Sequence, residues 1–223
     1  MLERETKMNT ILEQGLKELG IAEGVHGGRQ ETAGALLERF ALEIERFNDA
    51  YGLVSVKNFE ALLIRHILDS LAPLTVIARL EALSIADLGS GAGLPGIPLA
   101  ICLPDRRWTL VERSGKRAGF LQHTVALLRL ENVQVVQGQM EEEAAQSFDL
   151  LTFRAFHPFS PSLLKALFRL LVPGGSIAAY KGRAKAIASE MAGLDVLWEA
   201  APVKTPFLDE ERHLVLIHGT PKS

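Results

Sequence analysis

The stretch of this sequence best equipped for chemistry is Asp87-Leu88-Gly89-Ser90-Gly91-Ala92-Gly93-Leu94-Pro95-Gly96, where alternating glycines follow an acid directly. Glycine lacks a Cβ and tolerates positive φ, so such a loop lets a nucleoside-bearing ligand lie against the main chain beyond a strand's carboxyl end. Two ligand chemistries fit the spacing. Gly91, Gly93 and Gly96 spell G-x-G-x-x-G, which cradles a pyrophosphate at a helix N-terminus. Counted instead from Gly89, where the preceding strand should end, the run is Asp-x-Gly-x-Gly-x-Gly, a nucleoside loop with no phosphate to hold. A glycine-rich turn without a ligand is the third possibility.

Glu112 ends the run WTLVE, 21 residues after Gly91. An acid about 20 residues beyond the loop reaches ribose hydroxyls with both oxygens. The alternative is a local ion pair with Arg113 or Lys116. Arg65, His66 and Asp69 lie at helical spacing, with Arg65 and Asp69 as an i, i+4 pair. His157 could stack on a base or simply fill space. Two basic clusters, Arg113/Lys116/Arg117 and Lys181/Arg183/Lys185, are candidate phosphate contacts. No spacing of metal ligands stands out, and the single cysteine, Cys102, excludes a disulfide framework and fits a reducing compartment.

Elements must carry these residues to one place. Over residues 1–80 apolar positions recur at helical spacing, for example Leu36, Leu37, Phe40, Ile44 and Phe47, then Leu62, Leu63, Ile67 and Leu71. This region is expected to be entirely helical, with GVHGGRQ at 24–30 as a loop. Over residues 81–223 short apolar runs alternate with helical stretches, the pattern of βαβ units and a mainly parallel sheet. SIADL, WTLVE, VQVVQ, DLLTF and SIAAYK are the expected strands. Helices are expected near 97–103, 116–130 and 162–171, the last stopped by Val-Pro-Gly-Gly. VLWEAAPV and HLVLIH, with no clear helix between them, predict a closing hairpin with one antiparallel strand. The expectation is therefore an α/β fold with an N-terminal helical region and one cofactor-binding domain.

With 48% hydrophobic and 23% charged residues, the chain has the balance of a packed globular protein. Its net charge of −3 supplies no global basic field, so any nucleic-acid contact needs a local patch. No signal-peptide core and no run of about 18 apolar residues is apparent, which points to a protein of the cytoplasm without a membrane segment.

Several segments together carry a more specific likeness: LIRHILDS (63–70), IADLGSGAGLPGIPLA (85–100), TLVERSGKRAGFL (109–121), FRAF (153–156), YKG (180–182) and ERHLVLI (211–217). The loop resembles the first motif of Rossmann-like methyltransferases. In this order the segments resemble the small-subunit ribosomal RNA methyltransferase G family, also called glucose-inhibited division protein B. The resemblance implies a class I methyltransferase fold, S-adenosylmethionine as donor, and methylation of N7 of a guanine in small-subunit (16S) ribosomal RNA. If the basic clusters form only a weak patch, a substrate presented within the assembled or assembling 30S particle is expected rather than naked RNA, and a monomeric enzyme is expected. Carried over by position, the family's cofactor contacts fall on Gly89, Leu94, Met140, Glu141 and Arg154, which join Asp87, Gly91, Gly93 and Glu112 of the loop and the next strand end in the expected cofactor-binding set. Arg154 is also the group expected to position the reactants, with no general base required. A small-molecule methyltransferase, a nicotinamide oxidoreductase and a silent nucleoside-binding module are the rival readings. Two departures from the family pattern stand out. FNDAYGLVS has Phe47 for a usual Trp, Gly52 for an Asn and Val54-Ser55 after Leu53, and Gln139 stands where the family tends to carry Arg.

Overall fold

The computed structural model describes residues 2–21, 31–155 and 157–219; the loop expected at 24–30 lies outside the described residues. Helices α1 (Leu2–Glu18), α2 (Ala33–Tyr51), α3 (Phe59–Leu62), a π-helical turn (Leu63–Leu68), α4 (Asp69–Leu71) and α5 (Leu74–Arg79) come first. Thr32 caps α2 by accepting the Ala35 N–H, and Asn58 caps α3 by accepting that of Ala61. Each supplies an acceptor to an amide that the first helical turn cannot satisfy.

The α/β part follows as β1 (Ser84–Leu88), α6 (Gly96–Cys102), β2 (Arg107–Glu112), α7 (Gly115–Leu127), β3 (Val133–Gln137), a 3-10 turn (Met140–Glu142), β4 (Phe148–Arg154), α8 (Pro161–Leu170), β5 (Leu171–Lys181), α9 (Ala184–Met191), β6 (Leu197–Val203) and β7 (Arg212–His218). One sheet of order β3-β2-β1-β4-β5-β7-β6 results. Only β7 runs antiparallel, pairing with both β5 and β6. The hairpin read from the sequence is thus present, and the strand order reverses between β1 and β4.

Strand alternation sends Leu150 to one face and Leu151 to the other. The first face shares one core with α1, α2 and the 59–79 helices through Phe40, Ile67, Ile85, Ile97, Leu110 and Leu150. The second packs Phe153, Ile177 and Ile217 against Leu164 and Leu167 of α8 and Ile187 and Met191 of α9.

Three expectations need correction. β5 begins at Leu171, not Ser176, because the sheet continues through Pro173-Gly174-Gly175 at a register shift against β4 that accommodates the proline. Helix α9, unexpected from the sequence, fills the crossover between β5 and β6. Phe59–Arg79 is long and apolar enough, by length and composition, to cross a membrane, contrary to the sequence reading. Half of its apolar window is buried inside the fold, and Arg65, His66 and Asp69 break it, so it serves here as a core helix.

The family departures around α2 find local reasons. Gly52 caps α2 in the left-handed region, at φ 59°, and asparagine is the other residue that tolerates that conformation. Phe47 stacks on Tyr51 at 5.5 Å and meets Phe120 and His123 edge-on, so an aromatic ring still joins α2 to α7.

Candidate functional site

The reversal of strand order opens a crevice at the carboxyl ends of β1 and β4, where open α/β sheets bind ligands. A cleft of about 590 Å³ lies there, the size of a nucleoside-ligand pocket. Gly89, Glu112, Gln139 and Met140 line it, together with His157, Ser160 and Leu163. The cleft thus joins three cofactor candidates that stand at the ends of three different strands.

Of the glycine loop, Leu88 and Gly89 line the cleft. Gly91, at φ 57°, turns the chain so that its N–H reaches Glu112 Oε2 at 2.8 Å. Glu112 Oε1 accepts the Ser114 N–H at 2.8 Å, so this carboxylate ties the loop to the start of α7. The sequence alternative, pairing with Arg113 or Lys116, is not what the structure shows. Glu112 is 4% exposed, which leaves its second lone pairs for a ligand in the cleft.

Asp87 and Leu94 stand behind the loop. Asp87 is fully buried; its Oδ2 accepts the Gly96 N–H at 3.1 Å while Oδ1 has no partner. Burial pushes its carboxyl up to about 7, with Glu112 adding, while the nearby Ser90 hydroxyl, the Gly96 N–H and the charge of Arg154 act against it. Gly96 permits this contact: a Cβ there would stand 2.6 Å from Asp87 Oδ2 and collide with Leu110. Leu94 is buried in the core shared with the helical region, and Gly93 sits against Ile97 of α6. Glu141 belongs by its backbone to the 3-10 turn at the cleft's edge.

Arg154 ends β4, and continuing the β1–β4 register sets it beside Gly89. It does not line the cleft. It lines a neighbouring hollow of about 390 Å³ together with Arg65, His66, Asp69, Tyr180, Lys181 and Arg212. Asp69 is the hub of that wall: Oδ2 accepts Arg154 Nη1 at 3.3 Å, and Oδ1 accepts Arg212 Nε and Thr205 Oγ1, both at 3.1 Å. The i, i+4 pair read from the sequence is therefore replaced, with Arg65 bonded to Glu210 at 2.7 Å. The π-helical turn presents the Arg65 carbonyl to Arg154 Nη1 at 3.3 Å, and His66 Nδ1 lies 2.9 Å from Arg154 Nη2. Wide turns of this kind interrupt helices at functional sites. Sequence reasoning named none of Thr205, Glu210 and Arg212 as site residues, although Arg212 lies within ERHLVLI and Glu210 in the acidic stretch just before it.

The basic clusters are partly occupied within the fold. Lys116 donates to the Ala50 carbonyl at 2.6 Å and Arg117 to that of Gly52 at 3.3 Å, so both cap the end of α2. Lys181 pairs with Glu190 at 2.6 Å and lies over the Phe159 ring. Arg113 and Arg117 still face the cleft, and Arg183 and Lys185 are exposed at the start of α9.

The sheet order, the glycine loop and the cleft at its mouth define a Rossmann-like S-adenosylmethionine-dependent methyltransferase. The fold matches an S-adenosylmethionine-dependent methyltransferase from Aquifex aeolicus at TM-score 0.56 and 15% identity, covering 80% of this chain and 97% of that one. It likewise matches a putative one from Methanococcus maripaludis at TM-score 0.54 and 16% identity, covering 90% and 99%. Sequence similarity narrows the class. A family profile described as rRNA small subunit methyltransferase G matches residues 34–215. Proteins named ribosomal RNA small subunit methyltransferase G from Treponema pallidum (strain Nichols) and Stenotrophomonas maltophilia (strain K279a) are 41% and 39% identical. These alignments cover 89% of this chain and 92% of the first relative, and 93% of both chains for the second. The chain belongs to the rRNA small subunit methyltransferase G family.

Proposed function

We propose that this protein methylates N7 of a guanine in small-subunit (16S) ribosomal RNA, using S-adenosylmethionine held in the cleft between the ends of β1 and β4. The carrying observation is the cleft itself, built by Gly89, Glu112 and Met140 on the glycine loop of a chain that belongs to this family. Glu112 would take ribose hydroxyls and Met140 an adenine face, with the backbone of Glu141 at the adenine edge. The buried Asp87, the turn at Gly91 and the packing of Gly93 and Leu94 hold that surface in shape.

When bound, S-adenosylmethionine supplies an electrophilic sulfonium methyl group. Guanine N7 carries a lone pair and no proton, so this chain has no proton to remove and needs no general base. What it must supply is placement, which is worth roughly 7 to 11 kcal/mol in well-oriented systems. Arg154, pinned by Asp69, His66 and the Arg65 carbonyl, is rigid enough to hold a substrate group at a fixed spot beside the loop.

The engagement of Lys116, Arg117 and Lys181 within the fold leaves few cations for bare RNA, which favours the assembled or assembling 30S particle as substrate. Residues 1–80 would serve as a helical cover and residues 81–223 as the methyltransferase domain of a monomer acting in the cytoplasm, where the particle is. Incubation with methyl-labelled S-adenosylmethionine and small subunits from cells lacking the modification, then reduction and aniline cleavage, tests the reading. One cleavage site is expected; labelled RNA without cleavage would move the methyl to another atom.

A further inference from the structure

The hollow beside the cleft has an unusual hydrogen-bonding character. Among the residues lining it Asp69 is the only carboxylate, and both its oxygens are taken by Thr205, Arg212 and Arg154. The Tyr180 hydroxyl is directed to the Ser70 carbonyl at 2.6 Å. What side chains remain to offer an occupant are the spare N–H groups of Arg65, Arg154, Lys181 and Arg212, the Ser55 hydroxyl, and two imidazoles. His213 donates its Nδ1–H to the Gly182 carbonyl at 2.7 Å, while the His66 ring is fixed the other way round. A guanidinium can only donate, so His66 Nδ1, 2.9 Å from Arg154 Nη2, must accept. The ring proton is then on Nε2. Burial, reinforced by Arg154 and Arg65, lowers His66 to about 4, so the ring is neutral at physiological pH.

We infer that this hollow takes the target nucleobase and that His66 is a specificity-determining residue, its Nε2–H donating to the carbonyl oxygen of a 6-oxopurine. The inference rests on the proposed methyl transfer and adds the group that selects the base. In guanine O6 and N7 are neighbouring acceptors on one edge, so a wall of donors that holds O6 also fixes the edge that carries N7. A 6-aminopurine presents an N–H where guanine presents O6. Donor would then face donor in a partly buried hollow, leaving both unbonded, and sites built to bond a substrate group reject analogues that cannot answer it.

The test uses the full chain, S-adenosylmethionine, and reconstituted small ribosomal subunits carrying guanine or adenine at the methylated position. Initial rates of label transfer give kcat/KM for each particle, and calorimetry gives cofactor affinity. The wild type is expected to prefer guanine by at least about a hundredfold. In His66→Ala the rate on guanine should fall about tenfold to a hundredfold, with the guanine-to-adenine ratio shrinking by a similar factor and cofactor affinity within about twofold. His66→Gln can accept from Arg154 and donate outward, so it should recover most of the preference and keeps the test valid if the alanine variant folds poorly. A preference unchanged in the variants, even at a reduced rate, overturns the role of His66. A wild type that leaves guanine particles unlabelled overturns the proposed function instead, and this inference with it.

Discussion

The cleft, lined from the carboxyl ends of β1, β2 and β3, and the hollow, lined from those of β4 and β5, are made differently. The cleft rests on a main-chain turn at Gly91 that Glu112 stitches to the start of α7, and its parts come from three successive strand ends. The hollow is a charge network drawn from four distant segments: the π-helical turn and α4, the end of β4, the loop at Thr205, and the start of β7. A surface built of backbone offers shape and two carboxylate oxygens to a ligand that is always the same. A network of side chains offers charge and donors, which suits a polyanionic substrate. The two surfaces should therefore fail in different ways when altered.

The largest effect is expected at Asp69. Its side chain is 8% exposed and holds two part-buried arginines, so Asp69→Ala leaves Arg154 without a counter-charge and Arg212 with Glu210 alone. A loss of about 3–5 kcal/mol is expected, read as a lower midpoint of urea unfolding. A loss below about 1 kcal/mol would mean that the network is solvated and not a structural hub.

Next in size is Glu112→Ala, which removes the acceptor for Gly91 and Ser114 together with the candidate ribose contact. Cofactor affinity should weaken about tenfold to a hundredfold by calorimetry, since a charge-assisted bond is worth roughly 1.5–3 kcal/mol.

The two regions also carry opposite pH signatures. Asp87, behind the cleft, is raised by burial from 3.8 to about 7. The folded state holds its proton more tightly than the unfolded state, so this contribution is full below about 4 and lost as pH rises through about 7. His66, in the hollow, is lowered by burial from 6.5 to about 4. Its contribution is full above about 6.5 and lost as pH falls through about 4. Relative to wild type, Asp87→Asn should make stability rise more steeply with pH between about 4 and 6.5, and His66→Gln should make it fall. Denaturation midpoints across pH 4 to 8 distinguish the two; parallel shifts in both variants would remove the contrast.

The smallest effect is reserved for the exposed cations. Replacing Arg183 or Lys185 should lower the slope of log affinity against log salt for ribosomal particles by about one each, if each neutralises one phosphate.

The same contrast governs what the sequence could reveal. The cleft is local: the glycines, the acid 21 positions on and the strand that ends at Glu112 follow one another, and β1 and β3 fall where SIADL and VQVVQ stand. Backbone periodicity and spacing carry such information directly. The hollow is not local. Asp69 meets Thr205 and Arg212 across 136 and 143 positions, and no spacing rule reaches that far, so spacing alone pairs Asp69 with its helical neighbour Arg65. Likewise β5 runs through Val-Pro-Gly-Gly because the sheet tolerates a proline at a register shift, a tertiary circumstance that composition does not display. Lys116 and Arg117 read as surface charge because their carbonyl partners, Ala50 and Gly52, lie 66 and 65 positions earlier.

The separation of the two surfaces is tested most directly by measuring cofactor affinity and particle methylation in parallel for Glu112→Ala and Arg154→Ala. Glu112→Ala should weaken cofactor binding by about tenfold to a hundredfold, with most of the rate restored at saturating S-adenosylmethionine. Arg154→Ala should leave cofactor affinity within about twofold, yet lose about a hundredfold in kcat/KM for the particle at any cofactor concentration, as truncation of one partner in a buried charge pair costs about 2–5 kcal/mol. If Arg154→Ala weakens cofactor binding as much as Glu112→Ala does, the cleft and the hollow act as one site, and the division drawn between them is wrong.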